Sequence, residues 1–250
     1  MQVDLLFDSF SASWAEIRPA VMAADQADYG AAWVFDHMSG AVHGESHVLE
    51  AWTLLSAIAA ITQRIAIGPL VLNAANREAG VLAQMAATLQ EVSAGRLLLG
   101  LGAGAGPSSP YAAEDVALGR EVKSAQERRA RLREYIADIR SFWRGDNGFL
   151  APRKAPPIIV GASGPKMAHL AGECADGVNL QADRMPKNYA ELAAISRGAS
   201  SRPGFLVTVY AAFETSWLDP GSDQRQYAAD VGVDRLILRL RPPYLQLLSG

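Results

Sequence analysis

The sequence predicts one α/β domain over residues 1–250, a single (β/α)8 (TIM) barrel. Three observations carry that expectation. Eight short apolar segments alternate with helical patterns, and strands separated by helices pair in parallel. The strands are apolar throughout, as strands are when both faces are covered. Eight such units within 250 residues also match a minimal closed barrel of about 250 residues better than an open sheet.

The elements follow in order. "VDLLF" (3–7) is the first strand, and a helix with Trp14, Ile17, Val21 and Ala24 on one face follows it, stopped by Gly30. "AAWVF" (31–35) is the second strand, followed by a polar loop and an Ala/Leu-rich helix near 48–61. "RIAIGPLVL" (64–72) is the third, with a helix after it carrying Val81, Leu82, Met85, Leu89 and Val92. "RLLLGLG" (96–102) is the fourth. Beyond its glycine loop a helix sets Leu132, Tyr135, Ile136, Ile139, Phe142 and Trp143 on one stripe. "PPIIVGA" (156–162), "GVNL" (177–180), "FLVTVYAAF" (205–213) and "RLILRL" (235–240) complete the set. The sixth strand is short, and the tail after Pro243 leaves little room for an eighth helix. No internal repeat or linker divides the chain.

Composition narrows the function classes. Half of the residues are hydrophobic, a fifth are charged and the net charge is −3, so no electrostatic footprint points to nucleic acid or an anionic membrane. The N-terminus has no basic leader, and no apolar run reaches the roughly 18 residues of a membrane span. Cys174 is the single cysteine, which rules out an intrachain disulfide and fits a reducing cytoplasm.

In a barrel of this kind chemistry sits where strands run into the following helices. The segments there are "DHMSG", "NAANR", "GAGAG" and "GASGPK". Gly100, Gly102 and Ala105 loosely satisfy G-x-G-x-x-G/A, but "PSSPY" separates them from any helix. The pattern lies on the fourth strand, and Glu121, at the edge of a helix, does not end the next strand as a dinucleotide site requires. A Rossmann site is therefore disfavoured, and a plain barrel turn stays open. In "GASGPK" (161–166) small residues end a strand and Pro165 opens a helix, whose free N–H groups form an anion site to which Lys166 adds charge. An ordinary capped helix is the alternative. Taken alone, Asp36 and His37 read equally as a helix-capping acid beside a hydrogen-bonded imidazole. His43 and His47 are four apart, but Gly44 argues for a loop, so no metal site is expected and these residues line a mobile loop over the pocket. His169 reads as an exposed helix residue and Cys174 as core. "ERRARLRE" (127–134) reads as a solvated helix face; Arg239 and Arg241, closing the eighth strand, read as salt bridges at the barrel rim, with a grip on a substrate or cofactor anion as the alternative.

Residues 50–104, from "EAWTLL" to "GLGAG", together with "FDH" (35–37) and "IIVGASGPKMAHLAGECADGVNL" (158–180), resemble the bacterial luciferase-like monooxygenase superfamily, and within it the F420-dependent oxidoreductase branch. The resemblance covers most of residues 1–180 and fades beyond. It implies the compact luciferase-like barrel and a site for coenzyme F420 or FMN at the C-terminal ends of the strands. His37 matches a catalytic histidine at the reactive face, and Asp36 a neighbour of the ring or its ribityl chain. Leu70 and Val71 match a step where such proteins often carry a non-prolyl cis peptide behind the ring, and Asn73 is placed to contact the same cofactor. Gly102, Ala103 and Gly104 match a close backbone approach, and Gly161, Ala162, Ser163 and Gly164 a phosphate-binding turn. One departure stands out: sugar-phosphate and alcohol dehydrogenases of the F420 group often carry a glutamate where this chain has Ala105. His37 would then act alone, or the substrate would take its proton from water. The activity implied is hydride transfer between the deazaflavin C5 and a small organic substrate, with a homodimer as the common assembly of relatives. An FMN-dependent luciferase-like monooxygenase and a non-catalytic flavin- or F420-binding protein are the alternatives.

Overall fold

In a computed structural model describing residues 1–145, 148–182 and 189–244, nine strands form one all-parallel sheet. They are β1 (Gln2–Phe7), β2 (Ala31–Val34), β3 (Ala66–Pro69), β4 (Leu72–Asn73), β5 (Leu99–Gly102), β6 (Ile158–Gly161), β7 (Gly177–Gln181), β8 (Leu206–Ala212) and β9 (Arg235–Leu240). β9 lies against β1 over six residue pairs, from Gln2 with Arg235 to Phe7 with Leu240. At the other seam Ile67 N–H donates to the Arg96 carbonyl at 3.0 Å and Leu98 N–H to the Ile67 carbonyl at 2.9 Å. The sheet closes on itself, so no edge is left to pair with another chain. β3 and β4 are the two halves of the third predicted strand, parted at Leu70–Val71, whose peptide is cis. The barrel thus has eight staves, and the short sixth of them, β7, is paired on both sides.

Helices α1 (Trp14–Gln26), α2 (Ala51–Ile61), α3 (Ala79–Val92), α4 (Ala112–Ala117), α5 (Ala125–Phe142), α6 (Pro165–Cys174), α7 (Tyr189–Ala199) and α8 (Asp223–Asp230) lie between the strands. α1 and α5 each open on a capping box, Ser13 with Glu16 and Ser124 with Glu127, which satisfies two N–H groups that a helix start would otherwise leave open. α5 buries Leu132, Tyr135, Ile136 and Ile139, as its stripe predicts. α3 departs from its expected face. Val81 and Val92 are more than half exposed, and the helix packs through Leu82, Ala83, Ala86, Ala87 and Leu89. α4 has no counterpart among the expected helices, and Glu121 lies in the connection between α4 and α5. The tail expectation falls on residues 245–250, outside the described residues. Among the described residues no helix is long and apolar enough to cross a membrane.

Arg96 locks the end of the barrel away from the glycine loop. Its guanidinium donates to the carbonyls of Ser93, Ile65, Ala59 and Thr62 and to the Thr62 hydroxyl, at 2.7–3.0 Å. Arg96→Ala leaves those acceptors without their cation, a loss of roughly 2–3 kcal/mol on the scale of hydrogen bonds to charged groups. The expected result is a melting temperature lower by about 4–12 °C, with kcat of the folded fraction unchanged. A thermal melt beside a rate assay at low temperature checks both.

Candidate active site

The C-terminal strand ends surround a cavity of about 810 Å3. All twelve residues picked out by sequence line it: Asp36 and His37 after β2, Leu70, Val71 and Asn73 at the β3–β4 step, Gly102–Gly104 after β5, and Gly161–Gly164 after β6.

Asp36 is set deep in the wall. Its side chain has no solvent exposure. Both oxygens accept from Arg77, at 3.1 and 3.0 Å, and Oδ2 also accepts from the Asn73 backbone N–H at 2.9 Å. Arg77 donates in turn to Glu50, and Glu50 caps α2 by accepting from the N–H groups of Trp52 and Thr53. One ionic network therefore ties the end of β2 to β4, α2 and the segment before α3. His37, the next residue, is held by that anchor.

His37 Nδ1 lies 3.0 Å from Glu114 Oε1. Glu114 comes from α4, and its side chain is only 7 % exposed. Burial pushes its carboxyl up, but the His37 hydrogen bond and charge, with the N–H groups of Met38 and Ser39, outweigh this and hold it below the usual glutamate range. An ionised carboxylate only accepts, so Nδ1 carries the hydrogen and Nε2 is left for the cavity. Tyr111 stacks on the His37 ring, centroids 4.8 Å apart, and its hydroxyl meets His43 Nε2 at 3.0 Å. The two histidines of "HGESH" separate: His43 lines the cavity, whereas His47 bonds the Ala12 carbonyl and Ser46.

The glycines of "GLGAGAG" answer to the broken strand beside them. A Cβ on Gly102 would stand 2.7 Å from Val71 Cγ2, and one on Gly161 3.1 Å from the same methyl. The two glycines leave the space into which Val71 projects. Gly104 has φ +78°, and a Cβ there would fall 2.6 Å from the Asn73 side-chain oxygen, so this position needs glycine twice over.

Across the cavity mouth, no side chain caps α6, whose N-cap is Gly164 and whose first turn holds Pro165. Lys166 flanks it, and Arg128 and Arg129, from the first turns of α5, face the same space. Arg128 Nη1 donates to the Gly104 carbonyl at 2.6 Å, which corrects the expectation that "ERRARLRE" is a solvated face throughout. Two buried wall atoms, Arg128 Nε and Gln181 Oε1, have no partner among the described residues. Arg239 forms the rim salt bridge expected of it, donating to Asp8 at 2.9 Å, yet it also lines the cavity and lies over the Phe35 ring.

Sequence reasoning missed Glu114, Arg128, Arg129, Tyr111 and Gln181. A sequence signal existed for the arginines alone: the Ser124–Glu127 box fixes where α5 begins, and so puts them near the rim.

The chain is 33 % identical over 194 residues to an F420-dependent glucose-6-phosphate dehydrogenase of Microbacterium testaceum, covering 71 % of this chain and 56 % of that enzyme. It is 29 % identical over 221 residues to a 5,10-methylenetetrahydromethanopterin reductase of Methanolobus tindarius, covering 84 % of this chain and 64 % of the reductase. The chain thus spans little more than half the length of the first of these relatives. The solved structure of an F420-dependent secondary alcohol dehydrogenase in complex with an F420–acetone adduct superposes with a TM-score of 0.77 at 16 % identity, over 96 % of this chain and 93 % of that one, a likeness of fold. The sequence profile of the luciferase-like monooxygenases matches residues 4–238, and the chain belongs to that family.

Proposed function

We propose that the chain is an F420-dependent oxidoreductase that moves a hydride between the deazaflavin and a small organic substrate. The observation that carries this reading is the His37–Glu114 pair on one side of a cavity whose other side is cationic. Two of the proteins named above, the glucose-6-phosphate dehydrogenase and the secondary alcohol dehydrogenase, are F420-dependent, and the wall suits such a molecule. Leu70 and Val71 offer an apolar shelf for a ring, and Gln181 Oε1 lacks a donor that a ring N–H would supply. The open end of α6 with Lys166, Arg128 and Arg129 suits a phosphate and an anionic tail. Bound there, the deazaflavin would supply two-electron hydride chemistry at C5. The chain supplies the rest. Asp36, spent on Arg77 and Asn73, positions its neighbour and holds the β4 end. His37 exchanges the proton that accompanies the hydride through Nε2, while Glu114 fixes the ring through Nδ1. The acid absent at Ala105 is thus replaced by one that reaches His37 from α4. A cytoplasmic site of action goes with this reading.

The test is a fluorescence titration of the purified protein with F420 and, in parallel, FMN. F420 is expected to bind more tightly, and Lys166→Ala with Arg128→Ala to weaken it by about ten-fold or more, in line with the loss of one or two charge-assisted bonds. A preference for FMN, or binding indifferent to both substitutions, rejects the assignment.

A further inference from the structure

We propose that the side of the cavity around His37 receives a neutral, ring-bearing carbonyl compound as the hydride partner and does not receive a phosphorylated sugar, an inference that rests on the F420 reading above. Two features of that side point to this class.

The first is a continuous wall of rings. Tyr111 stacks on His37, and Phe10 touches His43 at 4.2 Å and Phe35 at 5.9 Å between centroids. Phe35 meets Tyr210 edge-on at 6.1 Å. Of these six rings only Phe10 is set behind the surface; the others line the cavity. Rings in this arrangement favour another flat ring through offset and edge contacts.

The second is charge. The guanidiniums near His37 are already paired. Arg239 is held by Asp8 and lies 5.3 Å over Phe35, Arg77 is held by Asp36 and Glu50, and Arg120 by Asp115. Glu114 adds an anion beside the reactive imidazole. A phosphate ester placed here would meet the Glu114 carboxylate and guanidiniums already paired, with Arg241, 3.9 Å from Asp8, turned mostly to solvent. Lys166, Arg128 and Arg129, which form no ion pair among the described residues, lie across the mouth, where the cofactor's own anions would occupy them. The cavity is thus polarised, with a neutral aromatic side for the substrate and a cationic side for the cofactor.

In the reducing direction the carbonyl carbon accepts the hydride from reduced F420, and the C=O π pair moves onto oxygen. That oxygen takes the proton from imidazolium His37. The products are the secondary alcohol, oxidised F420 and neutral His37, and the N1 proton that the reduced deazaflavin loses on oxidation passes to water, so atoms, charge and electrons balance.

Three probes test the inference: acetophenone and butanone with reduced F420, and glucose 6-phosphate with oxidised F420. Acetophenone is expected to exceed butanone in kcat/KM by about ten-fold, as two stacked rings would give, with no turnover of glucose 6-phosphate. Equal rates for the two ketones, or oxidation of glucose 6-phosphate, would overturn it. Saturation-transfer NMR of acetophenone on the cofactor-free protein gives a readout independent of turnover. Tyr111→Leu should weaken that binding about five-fold, and Tyr111→Phe, which keeps the ring, should not. Indifference to Tyr111→Leu rejects the ring wall as the subsite. Acetophenone binding that depends on Tyr111, in a protein that fails to bind F420, upholds the subsite and places the failure on the cofactor assignment.

Discussion

Replacing His37 with alanine is expected to lower kcat by about two to four orders of magnitude, the range that a positioned acid–base group contributes, while the F420 dissociation constant changes by less than about three-fold. The asymmetry follows from where the imidazole sits. It is bonded to Glu114, sandwiched by rings, and 22 % exposed toward the cavity. The shelf at Leu70–Val71 and the cationic side at α6 belong to other staves, so cofactor affinity should survive its loss. Glu114→Gln separates the role of the pair from that of the ring. The amide can still reach Nδ1 but offers no charged acceptor there. Turnover should therefore fall by about ten-fold to a hundred-fold, in keeping with one charged hydrogen bond. In the parent protein the Glu114 carboxyl lies below the usual glutamate range. The pair's contribution to stability is accordingly full above that range and is lost as pH falls through the depressed value. Stopped-flow reduction or oxidation of F420 checks the rates, a fluorescence titration the affinity, and thermal melts across pH the stability. Unchanged kcat in His37→Ala removes the imidazole from the mechanism.

The parts of this molecule legible in its sequence are those written in short-range patterns. Apolar runs of four to nine residues between helices gave the staves, and the segments directly after them gave the cavity lining, because a parallel barrel brings every strand end to one mouth. What escaped depends on where a segment lands after folding. Glu114 is separated from Ala105 by a turn-rich stretch and sits on a helix of six residues, too short for any amphipathic period to show. Its partner is 77 positions away in sequence, and no local signal links the two. The face of α3 was misjudged for a different reason. Hydrophobicity selects the largest apolar residues, whereas close packing here uses Ala83, Ala86 and Ala87 and leaves Val81 and Val92 in water. The glycine run was legible as a place of close backbone approach. What approaches is the protein's own Val71 at Gly102, and only the path of the broken third strand reveals that.

Arg77→Ala should produce the largest loss of stability of any substitution near the site, about 3–5 kcal/mol, because it strips a buried carboxylate of its cation. Asp36 has no exposed side-chain surface and Arg77 only 11 %, so water cannot take over the two bonds that Arg77 makes. Glu50, 39 % exposed, can turn toward solvent and suffers less. The damage is therefore concentrated on Asp36 and on the junction of β2 with β4 that it holds. For a chain of this length the melting temperature should fall by about 6–20 °C. Arg77→Lys should recover only part of the loss, since one ammonium cannot reproduce the paired geometry to both Asp36 oxygens. The same substitution should lower kcat, because Asp36 precedes His37 directly and the imidazole can hold its place against Glu114 only while the end of β2 is fixed. His37→Ala leaves the Asp36–Arg77–Glu50 network whole and takes one hydrogen bond from Glu114, so it should lower the melting temperature less than Arg77→Ala does. Calorimetry and turnover measured on the two variants side by side thus separate anchor from acid–base group. A melting temperature unchanged in Arg77→Ala would mean that Asp36 is carried by the Asn73 N–H and the Asn76 side-chain amide and that the arginine is dispensable to the fold.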